Sequence, residues 1–204
     1  MEVILLHGMC RTRASMLLLG MRLKRAGHRV HFFGYRAATD SLERATARLA
    51  ELVSRKISPR PYVLAGHSLG SMIIRHATRR LTMQQPRAAY FLAAPMIACR
   101  AAKFCARFRI YRMLTGEMGR LLTRDAFMAD LPVPPGTRAY VGTAGPRQSW
   151  LPFGNALNDG ILLSAEASAD QRGVTVTVPH SHTLIMNSRK VAADMLADIA
   201  TLAS

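Results

Sequence analysis

One stretch decides the fold of this 204-residue chain, and it reads Tyr62-Val63-Leu64-Ala65-Gly66-His67-Ser68-Leu69-Gly70-Ser71-Met72-Ile73-Ile74. Its first four residues form an apolar β-rich run, and its last residues begin a helical pattern. The segment between them predicts a tight turn, because glycine lets backbone segments approach closely. A serine on such a turn projects its hydroxyl above the sheet, with a helix N-terminus behind it. The stretch therefore predicts Ser68 as a nucleophile; the alternative is that Gly66 and Gly70 only permit a strand-to-helix turn.

Strand and helix patterns alternate on both sides of this turn. Short apolar runs predict strands at Val3–Leu6, Val30–Phe33, Tyr62–Ala65, Ala89–Ala93, Arg138–Val141 and Val174–Val178. Helical spacing predicts helices at Arg13–Ala26, Leu42–Arg55, Leu69–Leu81 and Ser188–Leu202. Continuous apolar strands are typical of a parallel sheet covered on both faces. We therefore expect an α/β fold, a single domain over 1–204 with a doubly wound, mainly parallel six-stranded sheet. The alternating run Val174–Val178 is expected near an edge.

One region interrupts the alternation. Residues 97–131 predict a small helical cap insert between the fourth and fifth strands, with basic residues interleaved among apolar ones. The basic residues are Arg100, Lys103, Arg107, Arg109, Arg112, Arg120 and Arg124. One interpretation is a basic amphipathic lid that rests on an anionic membrane surface. The other is a cap whose apolar side packs on the body while its basic side faces water.

The charge composition limits the classes of molecule that this protein is expected to bind. Lys and Arg number 28 against 12 Asp and Glu, a formal net charge of +16. Such a surface could attract nucleic acid, anionic lipid or an acidic small substrate, or the arginines could simply cover solvated helix faces. No nucleic-acid-binding motif accompanies the charge, so no nucleic acid partner is expected.

Cysteine use and apolar runs indicate a compartment. Cys10, Cys99 and Cys105 have no metal-ligand spacing, which predicts free thiols in a reducing environment. The sequence has no recognisable secretory leader and no apolar stretch long enough to span a bilayer. We therefore expect a cytoplasmic protein. If the insert is a basic lid, the protein would also contact a membrane peripherally. No His, Asp or Glu cluster has ligand spacing, so neither a metal nor a cofactor is expected.

A serine nucleophile of this kind needs two backbone N–H donors for the negative charge that develops on the substrate oxygen. One should come from the residue after the serine, Leu69. The other should come from the loop after the first strand, where Leu6-His7-Gly8-Met9 places the N–H of Met9. His7 is interpreted as a structural histidine that shapes this loop. The Met9 side chain is expected to line an acyl pocket.

The serine also needs a histidine as base and an acid that orients it. In sheets with this serine turn, the chain order is serine, acid, histidine. His76 lies two turns into the helix behind the serine, on the wrong side. His180 and His182 follow the last strand, and we expect His182 to be the base because it stands further out on the loop. His180 is the alternative base and is otherwise expected to support the turn.

The acid must lie between Ser68 and the histidine. The acidic residues in that interval that we weigh are Glu117, Asp125, Asp130, Asp159, Glu166 and Asp170. The first three belong to the insert, and the last two are expected on a solvated helix. Asp159 follows the fifth strand in a polar turn beside Gly160, which can aim a carboxylate at an imidazole. The alternative is an Asn-Asp-Gly sequence favoured only by turn chemistry.

These segments together resemble the α/β-hydrolase superfamily, in particular its compact bacterial lipase-like and esterase-like serine hydrolases. The resemblance rests on Leu5-Leu6-His7-Gly8, Gly66-His67-Ser68-Leu69-Gly70, Asn158-Asp159-Gly160-Ile161 and Ser181-His182-Thr183, and covers nearly the whole chain. It implies a minimal version of that fold, because two initial strands are absent. It also implies Asp159 as the acid and His182 as the base, independently of the elimination above.

The sequence and the resemblance together predict an enzyme. The expected reaction is hydrolysis of a small-molecule ester or lipid with a hydrophobic acyl group, through Ser68, His182, Asp159 and an acyl-enzyme. An acyltransferase or thioesterase would use the same residues with another acceptor or leaving group. A protein of a different class, a non-catalytic binding module, could also use this fold.

Overall fold

The computed structural model describes residues 1–150, 153–169 and 173–202. Its strands are β1 (Glu2–Leu6), β2 (Arg29–Phe33), β3 (Tyr62–His67), β4 (Ala88–Leu92), β5 (Thr137–Gly142) and β6 (Val174–Val178). Within the described residues they form one six-stranded sheet in the order β2-β1-β3-β4-β5-β6, with every pair parallel. This confirms the predicted doubly wound sheet, with each strand within two residues of its predicted bounds.

Helices cover both faces of this sheet. They are α1 (Leu17–Arg25), α2 (Leu42–Leu52), α3 (Leu69–Ala77), α4 (Arg100–Cys105), α5 (Arg109–Leu121), α6 (Asp125–Asp130), α7 (Ser164–Ser168) and α8 (Arg189–Thr201). One buried apolar core joins the sheet to α1 and α8, and the other joins it to α2, α3 and the α4–α6 segment. Alternate residues of β3 enter opposite cores: Val63 faces the first and Leu64 the second. The central strands are apolar throughout because both of their faces are buried.

The strands at the rim differ from the central ones. In β6 only Val178 is fully buried, and its first two residues are exposed. This is the position expected for the alternating run, and β6 is indeed an edge strand of the sheet. The sequence pattern therefore distinguishes a strand covered on both faces from one at the edge.

Local signals set some of the helix ends. Ser41 caps α2, since its side chain accepts the N–H of Arg44. Gly27 ends α1 with a φ of 86°, and the N–H of His28 bonds to the carbonyl of Leu23 at 3.1 Å. Helix α3 is shorter than predicted and ends at Ala77 instead of Leu81, because the chain there tightens into a turn.

Three helices, α4 to α6, occupy the segment between β4 and β5 where the sequence predicts an insert. Helix α5 is broken at Gly116, which has a φ of 55°. A Cβ there would lie 2.8 Å from the carbonyl oxygen of Ala37, so a larger residue would not fit. The insert therefore packs closely on the loop that follows β2.

Parallel strands bring their carboxyl ends to one edge of the sheet, where ligands of open α/β sheets bind. The loops after β1, β3, β5 and β6 carry His7, Ser68, Asp159 and His182 respectively. The topology therefore places the predicted site residues on one side of the molecule, beneath the insert.

Candidate active site

Ser68 lies on a strained turn between β3 and α3. Its φ of 50° and ψ of −116° are unusual for a residue other than glycine. The N–H of Ser68 donates to the carbonyl of Leu92 at 2.9 Å, which fixes the turn to β4. Strain of this kind persists only where the surrounding structure enforces it, and it clusters at functional sites.

The two glycines of the turn are required by close approach of the backbone. A Cβ on Gly66 would lie 2.6 Å from the N of Ser71, and one on Gly70 would lie 2.7 Å from the carbonyl oxygen of His7. The buried hydroxyl of Ser71 donates to the carbonyl of Gly66 at 2.7 Å. The turn is thus closed by Ser71 and pressed against the end of β1.

Asp159 and His182 form a buried pair. The Oδ2 of Asp159 lies 2.8 Å from the Nδ1 of His182, and the N–H of His182 also donates to the carbonyl of Asp159 at 2.8 Å. The other carboxylate oxygen, Oδ1, accepts the N–H groups of Ile161 and Leu162 at 2.9 and 2.7 Å. The aspartate is therefore held by its own turn and holds the imidazole by Nδ1, leaving Nε2 for another partner.

The structure places His180 and His76 elsewhere. The backbone of His180 accepts the N–H of Ala144, which is consistent with support of the turn. The Nδ1 of His76 lies 3.3 Å from the hydroxyl of Thr46 on α2, behind α3. Of the histidines after Ser68, the one that contacts Asp159 within the described residues is His182.

Among the described residues, three of the other acidic candidates have partners other than His182. Asp125 pairs with Lys103 and Asp130 with Arg79, both on the surface of the insert. The expectation that Glu166 lies on a solvated helix is wrong: it is buried, and its carboxylate accepts the N–H groups of Arg100 and Leu163. Its helix is a single turn, and the carboxylate points inward to satisfy two helix N-termini. Glu117 lies within α5, and Asp170 lies outside the described residues.

His7 has a structural environment. Its ring stacks on Tyr35 with centroids 4.3 Å apart and planes 4° from parallel. Its Nδ1 donates to the carbonyl of Gly8 at 2.9 Å, and its Nε2 accepts the N–H of Tyr35 at 3.4 Å. Burial lowers the pKa of His7, so the neutral tautomer that these contacts require is favoured. His7 therefore ties the loop after β1 to the loop after β2.

His67 lies in the turn before Ser68, and the sequence pattern predicts no separate role for its side chain. It is buried, and its Nε2 donates to the carbonyl of His182 at 2.8 Å. A Cβ on Gly8 would lie 2.5 Å from the His67 Nδ1, so Gly8 leaves room for this ring. Burial holds the pKa of His67 well below its usual value. A neutral His67 thus joins the serine turn to the loop of His182, a contact that no local pattern reveals.

The two remaining residues supply backbone N–H groups. Leu69 is the first residue of α3, where a helix leaves its N–H groups without acceptors. Met9 follows Gly8 in the loop after β1 and lines the same cavity as Ser68. Within the part of the chain that the structure describes, neither N–H donates to another backbone group.

A cavity of about 670 Å³ opens between these loops and the insert. Ser68, His67 and His182 line it, and most of its other lining residues are apolar. These include Met9, Pro95, Ala102, Leu122, Ile161 and Leu162. All three cysteines also line it, and burial raises the pKa of Cys99 to about 11. A volume of this size accommodates a small organic molecule.

The described residues contain no group of three or more His, Cys, Asp or Glu arranged to hold a metal ion. None of their helices is both long and apolar enough to cross a bilayer.

Comparisons with known proteins give the same architecture. A model described as the alpha/beta hydrolase family matches residues 3–201. Among curated proteins no sequence matches this chain.

Several solved structures share the fold. The mature lipase BlEst2 of Bacillus licheniformis is 14% identical with a TM-score of 0.72, covering 96% of this chain and 91% of its own. The metagenomic carboxyl esterase MGS0156 is 17% identical with a TM-score of 0.72, covering 100% and 76%. The RedJ thioesterase of Streptomyces coelicolor is 14% identical with a TM-score of 0.61, covering 98% and 85%.

Proposed function

The chain belongs to the alpha/beta hydrolase family, and from that premise we propose that it is a serine hydrolase that cleaves carboxylic esters. The observation that carries the proposal is the buried Asp159–His182 pair, with Oδ2 and Nδ1 2.8 Å apart. His182 lines the same cavity as Ser68, which lies on its strained turn. A nucleophile, a base and a group that orients the base are the parts that acyl transfer needs.

In the proposed reaction, the Nε2 of His182 takes the proton of the Ser68 hydroxyl as Oγ attacks the ester carbonyl. Asp159 keeps Nδ1 protonated and stabilises the imidazolium that forms. The N–H groups of Met9 and Leu69 donate to the oxyanion. His182 then protonates the leaving alcohol, which yields an acyl-serine. Water, deprotonated by His182, attacks this ester and releases the acid and the free hydroxyl.

No hydrogen bond joins Ser68 to His182 among the described residues. Such contacts often tighten only when substrate is bound. The link from His67 to the His182 carbonyl supports the proposal, because it restrains the loop that must present Nε2 to the serine.

The apolar walls of the cavity support a hydrophobic acyl group. Ile161 and Leu162 belong to the turn of Asp159, and Met9 lies beside its own N–H donor. Burial of each methylene of the acyl chain contributes about 0.8 kcal/mol. We therefore expect kcat/KM to rise from acetate to butyrate or hexanoate esters.

The test compares Ser68→Ala with the wild type on p-nitrophenyl butyrate and on a fluorophosphonate probe. The expected result is loss of hydrolysis and of covalent labelling, with the mass shift located on the Ser68 peptide of the wild type. Ser54→Ala, which changes a serine on the surface near α2, is the matched control and should keep both. Full activity in Ser68→Ala would overturn the mechanism, and silence of the wild type towards a broad set of probes would favour a non-catalytic binding module.

The second candidate activity differs from ester hydrolysis in the molecule that accepts the acyl group, or in the type of ester that is cleaved. The acyl-enzyme can pass its acyl group to an alcohol or thiol instead of water, and thioesters can replace esters as substrates. The RedJ structure bears on this, since that protein is a thioesterase of similar fold. Comparing S-butyryl and O-butyryl substrates, with and without an added alcohol acceptor, separates hydrolase, thioesterase and acyltransferase activity.

The surface of the insert supports contact with an anionic bilayer. Phe104, Phe108, Ile110, Met113 and Leu114 are each more than half exposed on α4, α5 and the turn between them. Arg107, Arg109 and Arg112 stand among them and have no acidic partner within the described residues. Exposed apolar residues flanked by arginines suit the interface of anionic lipids.

Vesicle sedimentation tests this contact. We expect binding to phosphatidylglycerol vesicles that weakens between 20 and 500 mM NaCl as the charges are screened, on the scale of the Debye length. Ile110→Ser with Met113→Ser should reduce the bound fraction, whereas Met83→Ser, at an exposed methionine outside the insert, should not. Equal binding to neutral vesicles, or no binding at low salt, would contradict the proposal.

A further inference from the structure

A second cavity lies on the other side of the loop after β1. Its volume is about 890 Å³, and it is formed by the loop after β1, the loop after β2 and the middle of α5. Four arginines line it: Arg11, Arg13, Arg36 and Arg48. We refer to it as the basic pocket.

The basic pocket has an excess of positive charge. Asp40 is the carboxylate among its described lining residues, and it is already engaged. Its Oδ2 pairs with the Nη1 of Arg48 at 3.2 Å and accepts the backbone N–H of Arg36 at 3.0 Å. The guanidinium groups of Arg11, Arg13 and Arg36 have no acidic partner among the described residues. A concave surface lined by one sign of charge focuses the field and attracts the opposite charge.

One of these guanidinium groups, that of Arg48, is held in place by the backbone. The Nη2 of Arg48 donates to the carbonyl of Gly34 at 2.8 Å, and its guanidinium stacks 5.5 Å from the centre of the Phe33 ring. The guanidinium of Arg13 lies against Gly34, where any Cβ would collide with it. Gly34 therefore gives Arg13 room to lie beside Arg48. A guanidinium that is fixed like that of Arg48 loses little further freedom when it binds a planar or tetrahedral anion.

The basic pocket adjoins the cavity of Ser68. Cys10 and Arg11 line both cavities. On α5, Tyr111 lines the Ser68 cavity and Leu114, one turn later, lines the basic pocket. The insert roofs both, and its break at Gly116 seats α5 against the carbonyls of Ala37 and Ala38 in the pocket wall. One extended molecule can therefore occupy both cavities across Arg11.

We propose that the basic pocket binds an anionic group, a phosphate or a carboxylate, on the leaving-group side of the substrate. The apolar cavity takes the acyl chain, so the charged group belongs to the alcohol or thiol that departs. Arginine pairs with both anions through two parallel hydrogen bonds, which gives geometric selection as well as attraction. The pocket is larger than a phosphate ion, so it also takes part of the molecule that carries the charge. This inference rests on the proposed function of Ser68.

The test uses butyrate esters of α,ω-alkanediols of four, six and eight carbons, each with and without a phosphate on the far hydroxyl. We expect the wild type at low salt to favour one phosphorylated linker length at least 10-fold in kcat/KM. Arg13→Gln with Arg36→Gln should reduce kcat/KM for that ester about 10- to 100-fold, the range expected for lost charge-assisted hydrogen bonds. The neutral esters should be cleaved as before, which also shows that the variant is folded. Arg25→Gln with Arg87→Gln, at two exposed arginines outside the basic pocket, removes the same number of charges and is the control for net charge.

The outcomes separate the two proposals. If neutral esters are cleaved but a phosphate brings no advantage, or if Arg25→Gln with Arg87→Gln acts like the pocket variant, the basic pocket is not a substrate site while the proposed function stands. Inorganic phosphate should inhibit hydrolysis of the phosphorylated ester alone; inhibition without any substrate preference would mean that the pocket holds free anions, which also overturns the inference. If no ester is cleaved and no probe labels Ser68, the proposed function fails, and the substrate role of the pocket fails with it. Carboxylate-bearing esters of the same lengths show which anion is preferred.

Discussion

The two carboxylate oxygens of Asp159 bind different partners, so a single substitution can change one contact and keep the other. Oδ1 fixes the local turn and Oδ2 fixes His182. In Asp159→Asn the turn can keep an oxygen acceptor, but an amide N–H would face Nδ1 and favour the wrong tautomer. We expect kcat on p-nitrophenyl butyrate to fall about 10³- to 10⁴-fold with little change in stability. Asp125→Asn, at an exposed carboxylate paired with Lys103, is the control; a loss below 10-fold in Asp159→Asn would contradict the role of this residue.

His67 links protonation to stability. Its pKa is lowered first by burial and then by His182, so the folded protein resists protonation of this ring. Below about pH 6.5 the unfolded chain binds this proton and the folded chain does not. The free energy of unfolding should therefore fall as the pH falls from 6.5, by about 1.4 kcal/mol per pH unit for this group. Urea unfolding between pH 5 and 7 measures the slope.

The variant that isolates this contribution is His67→Asn. It should show a shallower decline below pH 6.5, while His7, whose pKa burial also lowers, keeps part of the slope. Identical slopes in the wild type and His67→Asn would show that the ring does not resist protonation in the folded protein.

At the scale of elements, Arg75 on α3 fastens the insert to the body. It is buried, and its guanidinium donates to the carbonyls of Met96, Met128, Leu131 and Pro132, which lie at both ends of the insert. Arg75→Met should leave these acceptors unsatisfied and destabilise the fold by about 3 kcal/mol or more. That corresponds to a fall in Tm of roughly 6–12 °C for a chain of this size. Thermal unfolding and cleavage of the insert by protease report the effect.

The matched control for Arg75 lies one turn further along the chain. Arg79 is partly exposed and pairs with exposed Asp130, so Arg79→Met should cost less than about 1 kcal/mol. Equal falls in Tm for the two variants would mean that the buried contacts of Arg75 do not fasten the insert.

These elements show what the sequence can predict. Strand positions follow from local apolar runs, and the turn of Ser68 follows from glycine spacing, because both depend on neighbours in the chain. Arg75 follows from neither: on a helical pattern an arginine indicates a solvated face, and its acceptors lie 21 to 57 residues away. Glu166 misleads in the same way. Buried charges are set by tertiary contacts that no local pattern contains.

At the scale of the whole molecule, the charge of +16 has two separable effects. Self-repulsion among the arginines opposes the compact state, so raising NaCl from 10 to 150 mM should stabilise the protein by about 1 kcal/mol, or roughly 2–4 °C in Tm. The composition predicts this part alone. It does not show that arginines distant in sequence, such as Arg13 and Arg48, meet at Gly34.

Phosphate buffer distinguishes general screening of the surface charge from binding of an anion in the basic pocket. At equal ionic strength, phosphate buffer should raise Tm further than NaCl, because binding to the basic pocket stabilises the folded state in proportion to its occupancy. The increment should vanish in Arg13→Gln with Arg36→Gln and persist in Arg25→Gln with Arg87→Gln, although both double variants respond to NaCl. If the increment in Tm depends on the number of arginines removed and not on their position, it arises from the diffuse charge of the surface. If the increment in Tm depends on which arginines are removed, it arises from phosphate bound where the loops after β1 and β2 converge, beside the cavity of Ser68.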